Sequence, residues 1–318
     1  MRDSLRQRIY GAAGISDPHS KHIRPISFGP VATASGHHSA HFREEYKMFL
    51  YLREVSRQHP DKHLPPVYLY DLPHSRSDES KSYGLRVTFA LKEQLEAISG
   101  TSIVADDIAT SIAESNAARS AVRSLIALRR GTPRVSGCFA LSLIGPFWSI
   151  PRGKYSELAQ EAPAKLQALP AVNAPRILVK GVSIDQSTLH SVLESFGAVV
   201  VSEDDWWGER SAGQDISTVE DPVAACFEKY YSDSPSPRTF PDSVADSWFE
   251  DRSREGIEGV VFYLPEDDYV SGWDYPRQKT FLDALGIPSL VIRDDPRQIT
   301  MPETSRIQEW IEHLPKGP

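Results

Sequence analysis

Residues 174–210, APRILVKGVSIDQSTLHSVLESFGAVVVSEDDWWGER, decide the fold. The apolar run Ile177-Leu178-Val179 reads as a strand ending at Gly181. Ser183 and Gln186 have capping-box spacing, so Ser183 is expected to cap a helix start. Leu189, Val192, Leu193 and Phe196 then recur at i, i+3, i+4 and i+7, which gives a helix one apolar face. Gly197 closes that helix and 198–201 form a second buried strand. A strand–helix–strand of this length requires a parallel crossover. Open parallel sheets bind ligands beyond the carboxyl ends of their strands. Glu203, Asp204, Asp205, Trp206 and Trp207 fall just there. The bland reading is a solvated acidic loop whose two tryptophans pack on a neighbour.

Working outward toward the C-terminus, the same alternation repeats. Asp221-Pro222 starts a helix with Val223, Cys226, Phe227 and Tyr230 on one side. Another helix covers 243–255, and Val260 to Leu264 is a buried strand. The acidic loop 266–268 follows that strand, in the same topological place as 203–205. A helix over 275–285 has Pro276 in its first turn and Gly286 at its end. Ser289 to Ile292 is the next strand, followed by a third acidic pair, Asp294-Asp295. Thr300 and Glu303 make a capping box for a last helix whose inward face is Ile307, Trp310, Ile311 and Leu314. The second half is thus expected to be an open, mostly parallel α/β sheet. Trp206, Trp207, Arg210 and 266–268 should face one cleft at its edge, and Glu203, Asp204 and Asp268 are the candidate acid–base residues. Arg210 and the helix start near Ser183 are candidates to contact an anion.

Toward the N-terminus the pattern is mostly helical. Helices are expected over 42–57, 83–98, 106–130 and 155–169, with an alternating strand at Val67–Asp71 and another strand within 26–34. Asn116 and Arg119 share a face of the third of these helices. Segment 170–175 reads as a linker, which divides the chain into 1–172 and 173–318. His37, His38 and His41 form a cluster in which His37 and His41 have i, i+4 spacing; no HExxH accompanies them, so a solvated loop competes with a metal site.

Composition narrows the classes. The 318 residues carry a net charge of -8 and no Lys/Arg-rich run, which argues against a nucleic-acid surface. No apolar stretch reaches the length of a membrane span and no signal-type leader is present, so a cytoplasmic protein is expected. The two cysteines, Cys138 and Cys226, are too few for a disulfide framework or a Cys-rich metal site. No GxGxxG, GxxxxGK[ST] or GxSxG follows any strand.

The order of segments resembles the D-component subunits of the 2-hydroxyacyl-CoA dehydratase and benzoyl-CoA reductase family. The pieces that carry the resemblance are VYLYDLPH, ESNAARSAVRSLIALRRGTPRVSG, RILVKG, FGAVVVSEDDWWGER, DPVAACFEKYY, IEGVVFYL, the DYPRQK to LGIPSLVIRDD segment, and TSRIQEWIEHL. The resemblance implies two Rossmann-like lobes with open parallel sheets and a helical middle segment. It also implies pairing with a related subunit or with a second copy, and an acyl-CoA thioester as ligand. Family subunits commonly hold an iron–sulfur cluster through three cysteines and pass an electron to the thioester. Here Trp206 and Asp268 fall where two of those cysteines belong, and no cysteine lies between Phe28 and His38, where the third belongs. Indole cannot replace a thiolate, so no cluster is expected. Three readings follow. The chain is a cluster-free partner subunit whose Ser183, Trp206, Trp207, Arg210 and Asp268 shape an acyl-CoA or carboxylic-acid pocket. Or it is a cluster-free lyase, with acid–base residues or a mononuclear metal held by His37, His38 or His41 with Asp268. Or it is a binding or assembly protein that kept the fold.

Overall fold

The computed structural model describes residues 40–62, 64, 66–73, 75–181, 186–205, 207–233, 242–265, 269–294 and 299–314, with backbone alone for 40–45, 242, 269 and 270. His37, His38, Ser183, Trp206 and 266–268 lie outside the described residues, as do the strand expected within 26–34 and the side chain of His41.

The second half is a four-stranded parallel sheet. Its strands are β1 (Arg176–Gly181), β2 (Val199–Asp204), β3 (Gly259–Tyr263) and β4 (Ser289–Ile292), in the order β2-β1-β3-β4. Between them run α8 (Thr188–Ser195), α9 (Pro222–Ser232), α10 (Asp242–Arg254) and α11 (Tyr269–Leu285), and α12 (Met301–Glu312) follows β4. The strand interiors are runs of apolar residues because both faces of the sheet are covered. Ile177, Val179, Val200, Val261 and Tyr263 pack under α8 and α12 through Leu189, Leu193, Ile307 and Ile311. Leu178, Val199, Val201, Val260 and Phe262 face α10 and α11 through Phe249 and Leu282. Each such side chain contributes about 1.5–3 kcal/mol by leaving water. The expected α/β class with a parallel sheet is therefore what the chain adopts.

The first half is helical among the described residues: α1 (Ala40–Gln58), α2 (Asp78–Ser99), α3 (Ala105–Ala127), α4 (Gly137–Ile144), α5 (Pro146–Ser149), α6 (Arg152–Ala159) and α7 (Ala162–Gln167). Val67–Asp71, expected as a strand, joins no ladder. Its alternation serves packing instead: Tyr70 bonds Thr88 of α2 at 2.7 Å, and Leu72 is buried with Phe227 and Tyr231 of α9. The single helix expected over 155–169 divides into α6 and α7, because Pro163 has no N–H to continue the first and suits the opening turn of the second. Helix α11 begins at Tyr269, so Pro276 sits in its interior rather than its first turn. The Thr300 side chain makes no capping bond; its backbone N–H donates to Asp294 at 2.6 Å and Glu303 pairs with Arg306 instead.

Two joints bring the halves together. Helix α9 follows β2 in sequence but packs on α2 and α3. At the other joint, Glu194 of α8 accepts the Gly137 N–H at 2.5 Å and the Cys138 N–H at 3.2 Å, at the start of α4. A carboxylate there satisfies free donors and the positive helix end together. Gly137 has no Cβ because one would stand 2.5 Å from the Val200 carbonyl.

Gly137→Ala is expected to lower unfolding free energy by about 1–3 kcal/mol, as overpacking does. Gly272→Ala, inside α11 where a Cβ meets nothing within 4 Å, should raise it by about 0.5–1 kcal/mol. Urea unfolding of the two variants checks the contrast.

Candidate functional site

The site is built at the carboxyl ends of β1 and β2. A bulge sets its geometry. Ile177 pairs with Val200, yet Leu178 pairs with Ser202, so Val201 is the extra residue. From there Val179 stands beside Glu203 and Lys180 beside Asp204. Without the bulge, alternation would send Glu203 toward Lys180. With it, Glu203 shares the face of Val179 and reaches His190 of α8, while Asp204 shares the face of Lys180, whose ammonium lies 5.3 Å from the Phe249 ring centre of α10.

Both carboxylates are fully buried. Arg129, just past the end of α3, grips Glu203 with two guanidinium nitrogens, one at 2.8 Å. On the other side His190 of α8 stands 3.1 Å from Glu203 through Nε2. The ionised carboxylate can only accept, so Nε2 carries the proton. Burial alone would raise the Glu203 carboxyl, but the Arg129 charge and the bonds from His190 and Arg129 outweigh it and hold it at about 2. Asp204 accepts from Lys180 and, at 2.5 Å, from Arg210 Nε. Burial again acts upward, and the Arg210 and Lys180 charges overcome it, leaving Asp204 below the ordinary carboxylate range. Ser202 donates to Glu209, which also pairs with Arg130 at 2.6 Å. Asp205 accepts the Gly208 N–H at 2.5 Å and tightens the turn after the strand. The solvated acidic loop is thus replaced by carboxylates built into the end of β2.

The expected site residues divide between two sides. Arg210 lies with its guanidinium carbon 4.3 Å from the centre of the Trp248 ring on α10. Trp207 instead stacks on Trp148 of α5, with ring centres 6.2 Å apart and planes 24° apart. Beside that stack Arg152 of α6 lies 3.5 Å over Phe147 and 5.3 Å from Trp148. Asp268, Ser183 and Trp206 belong to the segments outside the described residues. Sequence reading missed Arg129, His190, Lys180 and Arg152; each lies far along the chain from 203–207 or inside a segment read as apolar. The one available signal was Lys180, a charge in an otherwise apolar strand. Asn116 and Arg119 do share a face: Arg119 donates to Asn116 at 3.1 Å, and Asn116 exchanges bonds with the Ile216 backbone at 2.8 and 2.9 Å.

Neither cysteine stands near Glu203 or Asp204 in any bond. Cys138 Sγ is 3.3 Å from the Ser191 hydroxyl. Cys226, half-buried beside Ile112 and Ile216, has its thiol pushed up by burial. Among the described residues no group of three or more His, Cys, Asp or Glu is placed to hold a metal ion. No helix among them is long and apolar enough to cross a membrane.

Arg129→Met would leave Glu203 buried with only His190, and is expected to cost about 3–5 kcal/mol in urea unfolding. The pH dependence has a definite sign. Glu203 has a depressed folded value, so its contribution is complete above the ordinary 4.5 and is lost as pH falls through about 2. Glu203→Gln should therefore flatten the acid limb of stability against pH in that window, and an unchanged limb would contradict the assignment.

Comparison with known proteins now bears on this geometry. The family described as 2-hydroxyglutaryl-CoA dehydratase, D-component, matches residues 51–314, which span all four strands and the buried pairs. Lactoyl-CoA dehydratase subunit beta of Anaerotignum propionicum is 22% identical over 264 residues, covering 78% of this chain and 69% of that protein. With the match extending over most of its length, the chain belongs to the 2-hydroxyglutaryl-CoA dehydratase D-component family.

Proposed function

We propose that this chain is a subunit of a 2-hydroxyacyl-CoA dehydratase-type complex that holds no iron–sulfur cluster itself and shapes an acyl-CoA or carboxylic-acid pocket for a cluster-bearing partner. The observation that carries the reading is the donor set of a family member with two cysteines among these 318 residues. Cluster iron is held by cysteine thiolates. Cys138 sits at the start of α4 against Ser191 and Cys226 sits on α9 among apolar side chains, so the thiols do not fit a cluster. No step is therefore routed through one.

The carboxylates support the same reading. A general acid or base must exchange its proton with substrate and needs a pKa near working pH. Glu203 and Asp204 are buried, doubly paired and held ionised, which suits anchoring the strand end beneath a pocket. Of the candidate acid–base residues this leaves Asp268, in the 266–268 loop. The stacking of Trp207 on Trp148 supports a wall for that pocket on the described side. Large apolar side chains left in solvent give a partner something to cover: Met48 and Tyr51 on α1, and Trp273 on α11, which is 83% exposed.

The test is coexpression with a cysteine-bearing family subunit, then sedimentation and iron–sulfide analysis. A stable heterocomplex is expected, with all of its iron and sulfide assigned to the partner. Reconstitution of this chain alone to about four iron and about four sulfide would overturn the reading, and so would separate sedimentation of the two chains at micromolar concentration.

A further inference from the structure

Among the described residues, the buried cations pair with carboxylates except Arg119, and half-buried Arg152 is likewise without one. Arg129 pairs with Glu203, Lys180 and Arg210 with Asp204, and Lys229 with Asp233. Arg119, only 4% exposed, donates to the neutral Asn116 side chain and, at 3.5 Å, to the Tyr230 hydroxyl. Arg152 has aromatic rings as neighbours, and its Nη1 is buried without a hydrogen-bond partner. Among the described residues neither arginine forms an ion pair with a carboxylate. Glu114, whose carboxylate rests against the Gly153 backbone, does not pair with Arg152.

The two exceptions are neighbours. Helix α3, which carries Arg119, packs along α6, which begins at Arg152. Burial pushes the Arg152 guanidinium down to about 10, and the nearby Arg119 charge adds to that push against Tyr230 and Tyr155. Taking a charge out of water without a counter-charge is costly, and a second like charge nearby adds to the cost. Proteins keep such a pair where a ligand supplies the missing charge. Guanidinium forks match the planar, two-oxygen edge of a carboxylate or phosphate. Tyr230 places a hydroxyl 3.5 Å from Arg119, and the Trp148–Trp207 stack gives a flat apolar surface near Arg152. Arg152 is half-buried, whereas Arg119 is buried.

We propose that Arg119 and Arg152 form a binding site for a small-molecule oxyanion, a carboxylate or a phosphate, between α3 and α6 beside the Trp148–Trp207 stack. The site stands on charge and geometry alone, and does not require the acyl-CoA reading.

Calorimetric titration of the full chain with inorganic phosphate, with succinate and with CoA tests it. Variants Arg119→Gln and Arg152→Gln are compared with Arg123→Gln, an exposed α3 arginine already paired with Asp215. Phosphate or succinate should bind the parent chain and bind each of the first two variants about tenfold or more weakly, as loss of a charge-assisted bond does. Arg123→Gln should bind as the parent does. Phosphate binding without succinate binding identifies a phosphate site, and the reverse identifies a carboxylate site. Succinate binding with no CoA binding would uphold the site and count against CoA as its ligand. Ligand-free Arg152→Gln should melt at or above the parent temperature, because it removes an uncompensated charge. No heat from phosphate or succinate at millimolar concentration would overturn the proposal. So would undiminished binding by both variants, or a ligand-free melting temperature several degrees below the parent.

Discussion

The Arg129–Glu203 pair joins the end of α3 to the end of β2 in the dry interior, with both side chains fully buried. Neither charge is tolerable there alone. Removing one partner of a buried pair leaves the other to bear its full desolvation, commonly about 3–5 kcal/mol. The pair therefore acts less as glue than as a condition on assembly: the helical half and the sheet can dock only in the register that brings these groups together. The remaining contacts of this region are arranged around that register. Gly137 lies against Val200, Glu194 caps α4, and Gly208 lies close over Glu203 because any Cβ on it would collide.

The sheet was legible in the sequence because buried parallel strands leave a plain mark. Ile177 to Val179, Val199 to Val201 and Val260 to Phe262 are apolar on both faces, and the helices between them carry the i, i+3, i+4 pattern. Gly197 and Gly286 end their helices with positive φ, as their positions suggested. The errors came where a local pattern has two physical causes. Alternation in Val67–Asp71 fits a strand, but it fits equally a segment with one side against α2 and α9. Thr300 and Glu303 have capping-box spacing, but Asp294 and Arg306 offer competing partners that spacing alone does not reveal.

The site was less legible, for a reason that lies in the bulge. Alternation predicts where a side chain points only while the strand stays regular. One extra residue at Val201 reverses the assignment for everything after it. That reversal turns a run of acids, which reads as a solvent-facing loop, into two separately buried groups facing opposite layers. Their partners come from Lys180, His190, Arg129 and Arg210, the last of which was expected to contact a ligand and pairs with Asp204. Trp207, expected at a cleft wall, stacks on Trp148, which is also what a tryptophan packing on a neighbour does.

Charge placement then separates two kinds of basic residue that look alike in a sequence. A cation whose carboxylate is supplied by the chain has its electrostatic need met on folding, and its surroundings become rigid. A cation buried against hydroxyls, amides and rings keeps that need after folding is complete. Arg119 lies within α3 and Arg129 ten positions later, just past its end, and their partners differ: Arg129 meets Glu203, Arg119 meets Asn116 and Tyr230. The first stabilises the junction of the two halves, while the second carries a standing electrostatic cost between α3 and α6. A binding site is a place where folding leaves such a cost for the ligand to remove. On that argument the anchoring charges at the end of β2 and the unanswered charges between α3 and α6 divide structure from recognition within a single stretch of the molecule.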